Sequence, residues 1–580
     1  MDLFPLTRQH IQAHLAVLHL ASLVNVCSSQ HLPPTAPPML SSNPFVAIWN
    51  APTEVCHINN VPLDMSAYSA VTTPDKEPGQ ALTLFYTDRL GECPYIDEDT
   101  LKEYFGGIPQ NGNLTSHLAK ATNDIAFDMP FIDSPGLAVI DWEKWRPIWS
   151  RNWGKKSIYK TRSISKIRNS DPSLSVQQTQ SLAKSQFEMA AKNYMADTLA
   201  LGKNERPQQM WGFYLFPDCY NYDYTNTGHV YTGKCPPLAK TRNDQLKWLW
   251  EASTALYPSV YLSTFLKNSD KTALFVRNQV YEAMRVAALP KRLFVPPVYV
   301  YNRPVFTDAT DQFLNEKDLV SSIGECAALG AAGAVIWGAS ADYSNKELCQ
   351  ALSKYLTATL NPYIANVTAA AKLCSDILCQ SNGRCVRKNY NSSDYLHLNP
   401  ANFKIQKRQN EKYVALGIVT SAEMNALASK FTCQCYTGKK CQAQPSIGVR
   451  WRPQKSDGPG TSPEKEEGEE QLFPESSQED SASSRAASSR RRRKKQQAKP
   501  HCLQHRQGSA KPRDRPEELE STLLGVQGWC SGTYLRSGPS TASRENRHPS
   551  AVDEEKECPI PPPTQKGEPE CWRNVHFKKL

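Results

Sequence analysis

The sequence predicts an α/β fold, a distorted (β/α) barrel followed by a small disulfide-rich module and a disordered C-terminal tail. Three observations support this prediction. Short β-rich apolar runs alternate with long helical segments, six cysteines are clustered between Cys374 and Cys441, and the composition turns strongly polar from about residue 445. The length of 580 residues leaves room for roughly two to four domains.

The barrel is predicted at residues 40–365. Segments with apolar residues at helical spacing, such as 181–203 and 273–289, separate the strand-like runs. This alternation is typical of a parallel sheet covered on both faces, and without a glycine-rich nucleotide turn it favours a barrel over a doubly wound sheet. The runs are FVAIWN (45–50), LTLFY (82–86), GLAVIDWE (136–143), WGFYLFP (211–217), SVYLSTF (259–265), FVPPVYVY (294–301) and AGAVIWG (332–338).

The N-terminus has the layout of a signal peptide. Arg8 precedes a short apolar run at 15–24, and small and polar residues follow up to residue 29. No later segment has the roughly 18 consecutive apolar residues that a membrane-spanning helix needs. We therefore expect residues 1–29 to be removed and the product to be secreted, without a transmembrane anchor.

The cysteine cluster predicts a disulfide-stapled module at residues 370–443. Its spacing is C-x4-C-x5-C, a long gap, and then C-x-C-x5-C. Such density is typical of small domains made in an oxidising compartment. A structural zinc site is the competing interpretation, but the cluster has no histidine and no C-x2-C pair.

The remaining 445–580 region is predicted to be disordered, because it offers too little apolar surface to offset the cost of ordering. Its basic run at 490–495 could bind a polyanion, be cleaved by a protease or act as a nuclear signal, although a solvated tail segment is the commoner case. The net charge of +10 favours acidic partners without choosing among them.

Two acidic residues end one strongly apolar predicted strand, GLAVIDWE (136–143). Asp141 and Glu143 are two positions apart, so both side chains project to one side of an extended strand. A pair of carboxylates at the carboxyl end of a barrel strand suits glycosidic cleavage, which needs one proton donor and one ionised group. The alternative is that they cap the next helix or pair with Lys144 and Arg146.

The segment AVIDWE-x-WRP resembles the signature of the animal hyaluronidases, a glycoside hydrolase family, with the sperm-surface type the most similar. The similarity covers residues 44–441 and includes WNAPTEVC (49–56), FGGIPQNGNL (105–114), WGFYLFPDCYNYDY (211–224), NDQLKWLWEASTALYPSVY (243–261), LGAAGAVIWG (329–338) and YLHLNPANF (395–403). The resemblance implies endo-hydrolysis of the β-1,4 bond between N-acetylhexosamine and glucuronate in hyaluronan, and to a lesser extent in chondroitin.

The resemblance also implies roles for individual residues. Glu143 corresponds to the proton donor, and Asp141 to the group that orients the substrate's own N-acetyl oxygen, which is the nucleophile. Tyr214, Tyr261 and Trp337 correspond to residues that line the sugar pocket, although each alone is more typical of a core. Further cleft positions are Tyr86, Asp218, Asp308 and Glu282.

One position departs from the family pattern. Gln279 stands where the family commonly has an arginine, and glutamine cannot supply a fixed positive charge. A second hypothesis follows, in which the protein binds hyaluronan or takes part in cell recognition with little turnover. In either case we expect a glycosaminoglycan partner, no nucleic acid, no metal or organic cofactor, and a monomer.

The cysteine pairs implied by the resemblance are Cys56–Cys349, Cys219–Cys235, Cys374–Cys385, Cys379–Cys433 and Cys435–Cys441, the last three within a module that resembles an epidermal-growth-factor-type fold. Cys93 and Cys326 have no counterpart, and are either free thiols or an additional bridge. N-x-S/T triplets make Asn113, Asn366 and Asn391 candidate glycosylation sites.

Overall fold

The computed structural model describes residues 32–441, apart from residue 75 and residues 409–411. The predicted signal peptide at 1–29 and the predicted tail at 445–580, with its basic run, lie outside the described residues. The barrel strands are, in chain order, β1 (Val46–Trp49), β2 (Ala70–Val71), β3 (Leu82–Tyr86), β4 (Gly136–Asp141), β5 (Gln209–Phe213), β6 (Tyr299–Asn302) and β7 (Gly333–Ile336).

The strands pair in parallel in the order β2–β1–β7–β6 and β3–β4–β5. Single bridges of residues 256–259 to Tyr214 on one side and to Val298 and Tyr301 on the other join the two sets. The run 259–265 is therefore not the continuous strand that the sequence predicts. Pro258 lies within the bridging segment and cannot donate to a ladder, which accounts for part of this distortion of the barrel.

Helices surround the strands. The longest, Val176–Glu205, begins at a capping box in which Ser175 and Gln178 satisfy each other's backbone N–H groups. No helix among the described residues is both long and apolar enough to cross a bilayer. The α-helices are Glu54–Ile58, Leu114–Asp128, Ser157–Ser170, Val176–Glu205, Pro237–Gln245, Lys247–Ala252, Asp270–Ala287, Glu316–Leu319, Glu325–Ala328, Lys346–Tyr355, Asn361–Leu378 and Ser421–Lys430, and π-helical turns cover Val320–Gly324 and Leu356–Leu360.

The alternation of side chains along β4 places the acidic residues. Leu137 and Val139 pack with Tyr299 and other residues in the barrel interior, whereas Ala138 and Ile140 pack against the surrounding helices. Asp141 has the same parity as Leu137 and Val139, so it continues the inward-facing row at the carboxyl end of the strand.

The disulfide-rich module follows the barrel, although the helix Asn361–Leu378 runs through the predicted boundary between residues 365 and 370 and carries Cys374 into the module. Two antiparallel strand pairs follow: Gly383–Arg387 pairs with Phe431–Cys435, and between them in the chain Phe403–Lys407 forms a hairpin with Tyr413–Gly417. The structure contains the five disulfides that the resemblance implies, Cys56–Cys349, Cys219–Cys235, Cys374–Cys385, Cys379–Cys433 and Cys435–Cys441. Cys93 and Cys326 are buried free thiols.

A buried ion cluster joins the barrel to the module. Glu325, on a barrel helix, has a fully buried carboxylate that pairs with Arg277 of the barrel at 2.7 Å and with Arg387 of the module. Arg277 also donates to the backbone carbonyls of Asn391 and Ser392 in the module. The junction is thus held by charge-assisted hydrogen bonds in addition to apolar contacts.

Candidate active site

Asp141 and Glu143 lie in very different surroundings although only one residue separates them. The Oδ1 atom of Asp141 is buried and has no hydrogen-bond partner. Burial, and then the nearby charge of Glu143, raises the pKa of Asp141 well above its ordinary value. The side chain of Glu143 is 48% exposed. The two carboxylates thus differ in access: Glu143 is open to a leaving oxygen, whereas the unpartnered Asp141 oxygen can accept a hydrogen bond from a substrate donor.

The turn after β4 holds Glu143 in place. Arg146 donates to the Glu143 carbonyl at 3.0 Å and to its Oε2 atom at 3.1 Å. Asn152, fully buried, accepts from the Arg146 N–H at 2.8 Å and donates to the Arg146 carbonyl at 2.9 Å. The sequence left open that Glu143 merely forms an ion pair with Arg146. This ion pair is present, but the Glu143 carboxylate remains accessible. Sequence reasoning missed Asn152, whose partners depend on how the turn closes.

Tyr214 lies near two other tyrosine rings, and the charge of Asp141 acts on both Tyr214 and Tyr301. The ring of Tyr214, just after β5, lies 5.0 Å from that of Tyr301 in β6 and 6.4 Å from that of Tyr261. Burial, followed by the charges of Glu143 and Asp141, raises the pKa of Tyr214. The Tyr301 hydroxyl is buried with no hydrogen-bond partner. Sequence reasoning did not single out Tyr301.

An aromatic wall, defined here as Tyr261 and Trp337, completes the mouth of the barrel. The two rings are stacked, with centroids 5.7 Å apart and an interplanar angle of 12°. The guanidinium of Arg303 lies 5.9 Å from the Tyr261 ring and 5.8 Å from the Trp337 ring, and is itself paired with Asp342. A flat face of this kind suits the apolar side of a pyranose, and Arg303 fixes its position.

Two other predicted cleft residues lie close to the pair. Tyr86 ends β3 directly opposite Asp141 in the parallel register. Asp218 lines a small cavity together with Arg146 and Arg151. It accepts from the Tyr220 N–H at 2.9 Å, and burial raises its pKa.

Glu282 and Asp308 are held by local hydrogen bonds, and their assignment to the cleft stays a prediction. Glu282 is completely buried, and its carboxylate accepts hydrogen bonds from Arg285 and Asn243 at 2.8 Å each. Asp308 accepts from the Thr264 N–H at 2.8 Å, and although partial burial raises its pKa, this and other local hydrogen bonds bring the pKa below the ordinary value. Both carboxylates therefore accept hydrogen bonds from nearby residues of the protein itself.

Gln279 lies on the inner face of the helix Asp270–Ala287 and is 1% exposed. Its Oε1 atom accepts from the Cys219 N–H at 3.0 Å, and its Nε2 atom donates to Asn221 Oδ1 at 3.1 Å. The carboxamide therefore supports the loop that carries Asp218 and Tyr220. The sequence singles out Gln279 as a departure from the family pattern, but it does not indicate the hydrogen bonds to Cys219 and Asn221.

The three glycosylation triplets differ in accessibility. Asn113 and Asn391 are exposed. Asn366 is half-buried, and its Oδ1 atom accepts from the Leu398 N–H at 2.9 Å. Asn113 and Asn391 are therefore the more accessible of the three candidates.

Comparisons with known proteins identify the family to which the chain belongs. Residues 34–445 match the hyaluronidase family model. Hyaluronidase PH-20 of Macaca fascicularis is 47% identical over 414 residues, 71% of this chain and 80% of that protein. Hyaluronidase-5 of Mus musculus is 49% identical over 414 residues, 71% of this chain and 78% of that protein. A crystal structure of bee venom hyaluronidase in complex with a hyaluronic acid tetramer is 29% identical, with a TM-score of 0.49, over 55% of this chain and 98% of that chain.

Proposed function

This chain belongs to the hyaluronidase family of glycoside hydrolases, and we propose that it cleaves the β-1,4 bond between N-acetylhexosamine and glucuronate within hyaluronan, with chondroitin as a weaker substrate. The observation that carries the proposal is the contrast between Asp141 and Glu143. A buried carboxylate oxygen without a partner lies beside an accessible carboxylate at the end of one barrel strand.

Glu143 acts as the general acid. Its accessible carboxyl group protonates the glycosidic oxygen while the N-acetyl oxygen of the substrate attacks the anomeric carbon from the other face. The ionised Glu143 then takes a proton from the water that opens the cyclic intermediate, so the enzyme returns to its starting state. No enzyme nucleophile is needed, so the carboxylate-separation rule for glycosidases does not apply.

Asp141 holds the acetamido group. Its Oδ1 atom accepts from the amide N–H, which increases the nucleophilicity of the carbonyl oxygen and stabilises the positive charge that develops. A substrate N–H supplies the hydrogen bond that the buried Oδ1 atom of Asp141 otherwise lacks, and so removes the energetic penalty of its burial. The neighbouring Tyr214 and Tyr301 hydroxyls close the pocket, and the aromatic wall supports the ring.

The same proposal includes an extracellular or secretory-pathway location and a monomeric state. Five disulfides within the described residues favour an oxidising compartment. Sedimentation of the purified full chain tests the monomer, and its recovery from culture medium after expression in mammalian cells tests secretion.

The activity is tested by the size distribution of hyaluronan after incubation with the purified full chain across pH, with Glu143→Gln as the control. We expect the wild type to shorten the polymer and the variant to leave it intact. The second hypothesis, binding with little turnover, predicts intact polymer with both proteins. Gln279 no longer favours that hypothesis, because its carboxamide supports the Cys219–Asn221 loop.

A further inference from the structure

His117 is a buried histidine that contacts the residue between the two acids of the site. It lies on the helix Leu114–Asp128 and is fully buried. Its ring packs against that of Trp142, which separates Asp141 from Glu143, with centroids 5.4 Å apart and an interplanar angle of 75°. From this contact we infer that His117 is a positioning residue, which fixes Trp142 and through it the two carboxylates.

Trp142 is held in place by ring contacts. Besides His117, its indole meets the ring of Phe213 edge to face, with centroids 5.5 Å apart. The Nε1 atom of Trp142 is buried and has no hydrogen-bond partner among the described residues. Each such ring contact is worth about 0.5–1.5 kcal/mol beyond the area it buries. Because Phe213 is the last residue of β5, the indole also couples the ends of β4 and β5.

Two hydrogen bonds fix the orientation of the His117 ring. Its Nδ1 atom accepts from the Glu92 N–H at 2.9 Å, and its Nε2 atom lies 2.8 Å from Oγ1 of Thr198 on the helix Val176–Glu205. The Thr198 hydroxyl donates its own proton to the Tyr194 carbonyl at 2.6 Å, so it accepts from Nε2–H. The network therefore requires a neutral imidazole with its proton on Nε2.

The groups around the ring agree with the neutral form. Burial lowers the pKa of His117 to about 4, although the charges of Glu92 and Asp124 act in the opposite direction. Lys120, on the same helix, adds to the lowering, and the phenol ring of Tyr194 lies 5.1 Å from the imidazole. A second proton would bring Nδ1–H against the Glu92 N–H, and neither donor would have an acceptor.

The loop before Glu92 closes tightly on the ring. Gly91 has a φ angle of 65°, and a Cβ at this position would lie 2.4 Å from Nδ1 of His117. The Gly91 N–H donates to Oδ2 of Asp124 at 2.7 Å, which ties the loop to the helix that carries His117. The ring is thus confined by this loop on one side and by Thr198 on the other.

The inference rests on the proposed function and adds a residue that acts on the reaction through Trp142. Glu143 has to meet the glycosidic oxygen while Asp141 holds the acetamido group, so the two carboxylates need fixed relative positions. The ion pair of the half-exposed Glu143 with Arg146 holds it only weakly. A displaced Trp142 would misalign the pair in the transition state, which lowers kcat more than it changes KM.

Hyaluronan cleavage by the full chain tests the inference with two variants of opposite design. His117→Phe keeps a ring against Trp142 but no acceptor, whereas His117→Asn keeps an acceptor for the Glu92 N–H but no ring. We expect both to lower the melting temperature, but only His117→Asn to lower kcat, by about 10- to 100-fold with KM changed less than about twofold. His57→Asn, at an exposed histidine, is the matched control.

Wild-type kcat in a folded His117→Asn protein, or equal losses of kcat in the two variants, would overturn the inference and leave His117 a purely structural role. If His117→Asn does not fold, Thr198→Val removes the acceptor of Nε2–H at nearly unchanged volume. We then expect kcat to fall by about two- to tenfold and to recover in Thr198→Ser. Unchanged kcat in Thr198→Val would likewise refute the positioning role.

Fluorine NMR of the full chain labelled with 5-fluorotryptophan separates the contact from turnover. The Trp142 resonance, identified by its absence in Trp142→Phe, should shift or broaden in His117→Asn and keep its position in His57→Asn. A Trp142 resonance that does not respond to His117→Asn would refute the positioning role. A wild type that leaves hyaluronan intact would refute the proposed activity instead, and the resonance would still show whether His117 holds Trp142.

Discussion

The side-chain oxygen of Gln279 accepts a hydrogen bond from the backbone N–H of Cys219 at 3.0 Å. Arginine has no acceptor to offer this buried N–H. We therefore expect Gln279→Arg to lower the free energy of unfolding by about 1–3 kcal/mol and not to raise kcat. Urea denaturation and hyaluronan depolymerisation measure the two effects. A gain in kcat with unchanged stability would show that the missing charge limits turnover.

Glu143→Gln is expected to lower kcat by at least about 10²–10⁴-fold, because the amide cannot donate a proton of suitable acidity to the leaving oxygen. The melting temperature should change little, since the side chain is half exposed and its ion pair with Arg146 lies at the surface. Glu251→Gln is the matched control, an exposed glutamate paired with Lys247 at 3.6 Å. Full activity of Glu143→Gln would exclude it as the acid.

Asp141→Asn is expected to abolish activity while stabilising the fold at neutral pH. The pKa of Asp141 is raised in the folded protein from an ordinary value of 3.8. As pH rises above 3.8, the unfolded chain releases this proton more readily than the folded one, so the wild type loses stability. Asparagine does not titrate, so the Asp141→Asn variant does not lose this stability as the pH rises.

Calorimetry from pH 4 to 8 measures the effect of Asp141→Asn on stability. The melting temperature of the variant should exceed that of the wild type increasingly toward pH 8, by about 1 °C per kcal/mol of relief in a chain of this size, and should approach it near pH 4. A constant or inverted difference would contradict the assigned environment of Asp141.

Trp337→Ala should lower kcat/KM for hyaluronan by about tenfold or more, which corresponds to about 1.4 kcal/mol. The substitution removes one face of the aromatic wall and exposes Tyr261 and Arg303 behind it. Trp337→Phe should recover part of the loss. Trp248→Ala, on an outer helix, is the control for a general effect of losing a tryptophan, and an equal loss there would argue against a specific role of the wall.

Glu325→Gln should destabilise the protein by about 3–5 kcal/mol, because it leaves Arg277 and Arg387 buried without a full counter-charge. Thermal unfolding under oxidising conditions measures the effect. The exposed Glu251→Gln control should change stability by less than about 0.5 kcal/mol. A small effect at Glu325 would indicate that water enters the barrel–module junction.

The acidic pair could be predicted from the sequence because its evidence is local. An apolar run ending in D-x-E predicts a buried strand and, since the side-chain period of a strand is two, the inward-facing position of Asp141 at its end. The cysteine pairs and the pocket tyrosines came from the family resemblance. The distortion at 256–259 was not predicted, because the presence of Pro258 beside a strand-like run does not determine how many backbone hydrogen bonds to the neighbouring strands are lost.

The sequence by itself determined the class of barrel, the positions of Asp141 and Glu143 and the family. Only the tertiary structure decided that Glu282 and Asp308 are occupied by local hydrogen bonds, that Gln279 supports a loop, and that His117 packs against Trp142. These residues are far apart in the chain or lie on helix faces that several neighbours could cover. Which partners they meet depends on packing, and no local pattern encodes it.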